Sequence, residues 1–202
     1  MRPSITVGST RTPTWALGQP YKGSVAMNET QRQVIRAFRE HRVRYLVVGG
    51  QAMRSYGIDR RTQDLDLWVA RDMANAQAIT RFMRQVQNLP PLDRLQQPNF
   101  KFTVGHPGQP DVDILTSVAG DPQFDVYFGR SDRRLIDGLR LPVINPSDLL
   151  LVKQASAVKM EEDQHDPALE QVDRQMAQRT AEKERRDIML LNLYINNLPA
   201  PL

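Results

Sequence analysis

The sequence predicts an α/β (α+β) domain: a small mixed sheet flanked by helices, followed by a helical C-terminal extension. Three observations carry this. Short apolar runs bounded by glycine or turn residues alternate with stretches of helical periodicity up to about residue 146. Two pairs of these runs are joined by turn chemistry, which predicts hairpins. Beyond Ser147 only helical patterns occur. The chain therefore divides into an irregular arm over residues 1–28, a core over 29–146, and a helical region over 147–202 carrying a charged insertion at 156–182.

Each element has its own signal. The arm is broken by Pro3, Gly8, Pro13, Gly18, Pro20 and Gly23, and its Trp15 and Tyr21 suit docking. Thr30 is the expected cap of a first helix whose Val34, Ile35 and Phe38 share one face. Tyr45 to Val48 reads as a buried strand. Gly49-Gly50 ends it and opens a short helix over Gln51 to Tyr56, stopped by Gly57. Leu65 to Val69 is the second strand. Asp72 caps an amphipathic helix with Ala74, Ala78, Ile79, Phe82, Met83 and Val86 inward, and Leu89-Pro90-Pro91 stops it. Phe100 to Val104 and Val112 to Leu115 form a hairpin around His106 to Pro110. Leu135 to Ile144 forms another around Asp137-Gly138. Ser147 is the expected cap of a helix with Leu149, Leu150, Val152 and Ala155. Lys159 to Glu184 is highly charged and reads as an exposed helix or a partly disordered excursion. Ile188 to Leu198 closes the chain with an apolar helical stripe.

Bulk properties bound the function. The 202 residues carry 40% hydrophobic and 25% charged residues, ordinary for a soluble domain. There is no cysteine, which removes disulfides and thiolate metal sites and fits a reducing compartment. No apolar run suits a signal peptide or a membrane span, so no membrane partner is expected and the location reads as cytoplasmic. Net charge is +4. Between Gln31 and Arg61 eight arginines face two acids. That run is either a nucleic-acid or phosphate surface or a solvated arginine-rich helix face.

The chemistry concentrates in Val47 to Val69. Asp64 and Asp66 alternate with Leu65 and Leu67, so both carboxylates project to one face of a strand. Side by side they repel unless a cation sits between them. Mg²⁺ (or Mn²⁺) suits such a pair, since it takes one or two carboxylates and completes its shell with phosphate and water. Gly49 and Gly50 let the backbone approach closely and turn N–H groups towards an anion. A third acid is needed to hold two metals, and Asp113, flanked by Val112 and Ile114, is the better candidate in a strand that also carries Asp111. The implied reaction transfers a nucleoside phosphate from an NTP to a hydroxyl, with pyrophosphate leaving.

The order Gly49-Gly50-Gln51-Ala52, Arg60-x-Thr62-x-Asp64-Leu65-Asp66 and Val112-Asp113-Ile114-Leu115-Thr116-Ser117 resembles the minimal nucleotidyltransferases of the polymerase beta-like superfamily. It is most similar to the small bacterial proteins grouped with AbiEii-type toxins. The likeness extends through Ile136 to Ile144, Asp148-Leu149-Leu150 and Lys153, and ends at Lys183-Glu184-Arg185-Arg186-Asp187-Ile188, where the family has a Lys-Asp-x-x-Asp run. It covers roughly residues 31 to 195. The resemblance implies a nucleotidyltransferase fold, metal binding by Asp64, Asp66 and Asp113, and phosphate contacts from Gly49 and Gly50. It suggests nucleotide-facing roles for Lys153 and Arg60. Thr62 is either part of that motif or a β-former leading into the strand. Lys153 is either a phosphate ligand or a snorkelling surface lysine. Asp187 is expected to brace Arg185, Arg186 or a neighbouring helix. The implied acceptor is tRNA, another RNA or a protein, with an antitoxin as a further partner. The alternative is a silent scaffold that binds nucleic acid or a protein through its arm and basic helix. Gly50 replaces the serine of many polymerase-type members, and the insertion departs from relatives.

Overall fold

The computed structural model describes residues 26–83, 90–105 and 111–198. Six strands form one mixed sheet: β1 (Tyr45–Val48), β2 (Leu65–Val69), β3 (Lys101–Val104), β4 (Val112–Leu115), β5 (Asp132–Ile136) and β6 (Leu139–Val143). Their order is β3-β4-β2-β1-β6-β5. β1–β2, β3–β4 and β5–β6 pair antiparallel, while β2–β4 and β1–β6 pair in parallel. The helices are α1 (Glu29–Glu40), α2 (Gly49–Ser55), α3 (Met73–Met83), α4 (Phe124–Gly129), α5 (Pro146–His165) and α6 (Gln171–Asn196). Among the described residues, no helix is long and apolar enough to cross a membrane.

The register sorts side chains onto two faces. Tyr45, Val47, Leu65, Leu67, Val69, Val112 and Ile114 share one face. Phe38 of α1 meets Tyr45 edge-on at 5.4 Å and Phe82 of α3 at 5.9 Å, so α1 and α3 cover that side. The other face carries Leu46, Val48, Asp66, Trp68, Asp113 and Leu115. There Trp68, 1% exposed, packs edge-on against Phe124 and Tyr127 of α4. Trp68 and the two acids thus sit on the same side of the sheet, with the apolar end sealed by α4.

The structure revises several local expectations. Thr30 does not cap α1. Asn28 Oδ1 accepts from Gln31 N at 2.8 Å and Gln31 Oε1 accepts from Asn28 N at 3.2 Å, a reciprocal capping box. Met27 is buried in the core, so the last residues assigned to the arm belong to the domain. Residues 1–25, with Trp15 and Tyr21, lie outside the described residues, as do Val86, Leu89 and the turn at His106 to Pro110. Ser147 does not cap α5 either. Asn145 Oδ1 accepts from Asp148 N at 2.9 Å, and Pro146 takes the first helical position, where a missing N–H costs nothing. α2 begins at the glycines themselves. The charged segment is ordered helix: α5 runs on to His165, turns, and returns as α6 along its own length. α4 had no predicted counterpart.

The Asp137-Gly138 turn is as expected. Both residues have positive φ, 48° and 79°, which matches the twist of a two-residue hairpin. Asp137 also accepts from Met27 N and pairs with Arg32, tying the hairpin to the start of α1.

Candidate active site

β1 delivers the chain to Gly49, whose φ of +65° turns it into α2. A side chain there would collide with Asp66 Oδ2, and one at Gly50 would come within 2.7 Å of Thr62 Cβ. The two glycines therefore serve two close approaches: the Asp66 carboxylate lies against one and Thr62 packs on the other. Thr62 sits just ahead of β2, and its carbonyl accepts from Arg54 Nη1 of α2 at 3.0 Å. These contacts give it a packing role at the bend.

Asp66 and Asp113 are direct neighbours in the parallel β2–β4 pairing. Their side chains share the face described above. Asp113 Oδ1 accepts from Thr103 Oγ1 at 2.7 Å, and its Oδ2 lies 2.6 Å from Lys101 Nζ, both from β3. Burial raises the Asp66 carboxyl above the usual range, and the Asp113 charge raises it further. Lys153, Lys101 and Lys183 oppose that rise. The pair is thus two neighbouring carboxyls, one of them partly desolvated, with Lys101 in direct contact with Asp113.

Asp64 is not in that group. It is exposed, one residue ahead of β2, and accepts from Asp111 N at 3.4 Å. Among the described residues no three His, Asp or Glu side chains are grouped to hold a metal ion. The donors still fit a hard cation on a smaller count: two carboxylates in register, with phosphate and water completing the shell.

Arg60 and Lys153 point away from a simple nucleotide role. Arg60 Nε donates to Asp187 Oδ1 at 2.6 Å. Lys153, only 7% exposed, donates to Glu184 Oε1 at 3.1 Å and lies 3.0 Å from Asp187 Oδ2. Glu184 Oε2 and Asp187 Oδ2 have the Lys153 charge but no hydrogen-bond donor. Two acids and two bases thus form a buried knot joining the loop before β2, α5 and α6. Lys153 is neither surface-borne nor open. Asp187 braces a neighbouring helix as expected, through Lys153, while Arg185 pairs instead with Glu161 at 2.8 Å.

Glu184, Lys101 and Lys183 had no role in the sequence reading. Glu184 was detectable. Ala177, Ala181, Glu184, Asp187 and Leu191 are the buried positions of α6, at helical spacing. Two acids in an inward stripe require a buried cation. No protein-family model matches this chain, and no curated protein matches it.

Proposed function

We propose that this protein is a metal-dependent nucleotidyltransferase that moves a nucleoside monophosphate from an NTP to a hydroxyl of an RNA, such as tRNA, or of a protein, in the cytoplasm. The observation that carries the reading is the in-register Asp66–Asp113 pair, with the Asp66 carboxylate against the Gly49 bend. In the proposed step the acceptor oxygen bonds to the α-phosphorus, the bond to the β-phosphate oxygen breaks, and pyrophosphate departs. The acceptor proton passes to the carboxylate pair. Mg²⁺ held by Asp66 and Asp113 would neutralise charge on the phosphates. The chain supplies orientation: β2 and β4 fix the two acids, and Thr103 and Lys101 hold Asp113 in place.

The test is incubation with α-labelled NTPs, divalent metal, total RNA and lysate protein. Label should enter one pool and require metal. Asp66→Asn, folded by circular dichroism, should lose about 10²-fold or more of that transfer. Undiminished transfer by this variant would overturn the mechanism. The Lys101–Asp113 ion pair and the separation of Asp64 favour a second reading, a scaffold that binds nucleotide without turnover. Metal-dependent NTP binding with no label in any pool would select it.

A further inference from the structure

We infer that the outer edge of β5 is a docking site for an extended acidic segment of a partner protein, which joins the six-stranded sheet as a further strand. β5 and β3 are the two edges of that sheet. On β3, Lys101 and Thr103 are engaged with Asp113. β5 is built differently. Ile136 pairs with Leu139 across the Asp137-Gly138 turn, and Arg134 pairs with Leu141. The pair that closes a two-residue turn is hydrogen-bonded, and bonded pairs alternate along the ladder. Arg133 and Leu135 therefore direct their N–H and C=O groups away from β6. Among the described residues no other backbone group bonds to them there. Their side chains are exposed as well, that of Leu135 with the residue at 67%. An open row of amides beside an exposed leucine is the template on which a further strand adds.

Charge selects the occupant. Side chains of β5 alternate between two faces. On one, Asp132 accepts from Tyr56 Oη at 2.7 Å and Arg134 donates to Ser55 O at 2.9 Å, so that face is held by the end of α2. Arg133 and Leu135 share the other face, where Arg140 of β6 stands opposite Leu135. Arg133 and Arg140 are diagonal neighbours, about 7–8 Å apart. Both are exposed, and neither has an acid partner among the described residues. A carboxylate opposite Arg133 and an apolar side chain opposite Leu135, two positions apart in an incoming strand, complement this face. A second copy fits less well. Centred on β5, it sets Arg134 opposite Arg134. Slid to one side, it sets Arg133 opposite Arg133. Slid to the other, it gives Arg133 only Asp137, which Arg32 and Met27 N already hold. Residues 1–25 of the chain carry Arg2, Arg11 and Lys22 and no acid, so they bring the wrong charge. Nucleic acid would satisfy the arginines and leave the amide edge and Leu135 unused.

The experiment uses the full chain and a capped, fluorescein-labelled peptide in which glutamate and valine recur two residues apart among threonines, read by anisotropy. The control peptide has lysine in place of glutamate. The acidic peptide should bind, and the lysine peptide should bind about tenfold or more weakly. Arg133→Glu should reverse that preference. Leu135→Pro removes an outward N–H and no bond to β6, and should weaken the acidic peptide by a similar factor. Arg133→Glu, a surface change, keeps the test decisive if the proline variant does not fold. No binding up to about 1 mM peptide, or equal binding of the two peptides, overturns the proposal. Hydrogen exchange in the peptide-free chain reads the other occupants, since the Arg133 and Leu135 amides should exchange fast. Protection that rises with protein concentration would assign the edge to a second copy, and protection independent of concentration to a segment of the chain itself. Either result overturns the proposal, as does an oligouridylate that binds through Arg133 while the acidic peptide does not.

Discussion

Gly49 and Gly138 have nearly the same unusual backbone, φ +65° and +79°, and differ in what surrounds them. A Cβ at Gly138 meets open space, whereas one at Gly49 meets the Asp66 carboxylate. Gly138→Ala should therefore cost only the left-handed strain of about 1–2 kcal/mol. Gly49→Ala carries the same strain and must also displace Asp66, so its loss by urea titration should be clearly larger. Equal losses would mean that Asp66 does not lean on the bend. Asp66 itself gives a prediction in pH. Burial and Asp113 raise its carboxyl above the ordinary 3.8, so the folded state holds that proton more tightly than the unfolded chain does. Its contribution is present at pH values below the ordinary one and is lost as pH rises through the raised value. The stability of Asp66→Asn relative to the parent should therefore increase from pH 4 towards neutrality in metal-free buffer. A constant difference across that range would contradict the shared desolvation and repulsion at this site. At this scale the sequence was informative about which acids share a face, because strand alternation is local. It offered a phosphate ligand or a snorkelling surface lysine for Lys153 and gave no sign of the buried acids beside it, since that environment is made by residues 31 and 34 positions away.

Helix starts show how far local chemistry reaches at the level of elements. Of the three predicted caps, Asp72 accepts from Asn75 N at 2.9 Å as expected, while Thr30 and Ser147 were plausible residue types two positions from the true ones, Asn28 and Asn145. At α5 the sequence Asn145-Pro146-Ser147-Asp148 offers two capping side chains, and Pro146 decides between them by fixing the first helical φ. Asn145→Ala should cost about 1 kcal/mol, and Ser147→Ala a few tenths, by thermal or urea unfolding. The reverse ranking would put the helix start two residues later. The pairing of α5 with α6 was hidden for a different reason. Charge density from Lys159 to Glu184 resembles that of a solvated segment, and only the inward stripe of small and acidic residues shows that it packs. Asp187→Ala should destabilise by roughly 3–5 kcal/mol, because it leaves Arg60 without its carboxylate and Lys153 with Glu184 as its sole acid partner. Adding Lys153→Met should cost less than the sum of the two single changes, since the Lys153–Asp187 pair is lost once in the double variant and counted in each single one. Strict additivity in that cycle would break the link between the two helices as drawn here. α4 was missed because six residues give too few turns for a periodic signal, although Phe124 and Tyr127 at helical spacing are what Trp68 packs against.

The arrangement of the whole molecule was the least legible in the sequence. Each strand was local and recognisable, but the order β3-β4-β2-β1-β6-β5 places β6 beside β1 and β4 beside β2 through parallel pairings that no turn dictates. Those two pairings set what the site can do. β2–β4 joins Asp66 to Asp113, and β1–β6 sets the strand that leads into α5 beside the one that leads into the Gly49 bend. The outcome is a pair of neighbouring acids from β2 and β4, with Lys101 of β3 on Asp113 and the Asp66 carboxyl raised by burial. Such a pair should respond as a unit to a ligand that brings both phosphates and a divalent cation. At 100 times its dissociation constant, a bound NTP should add about 2.7 kcal/mol, or roughly 5–10 °C in melting temperature for a domain of this size. The effect should need metal, since phosphate alone would face two carboxylates, and metal alone should give a smaller rise by relieving their repulsion. EDTA should therefore remove most of the NTP-induced shift, and Asp66→Asn and Asp113→Asn should each blunt it. A shift that survives EDTA and both substitutions would place nucleotide elsewhere on the molecule, with the Arg-rich face of α1 the first surface to examine.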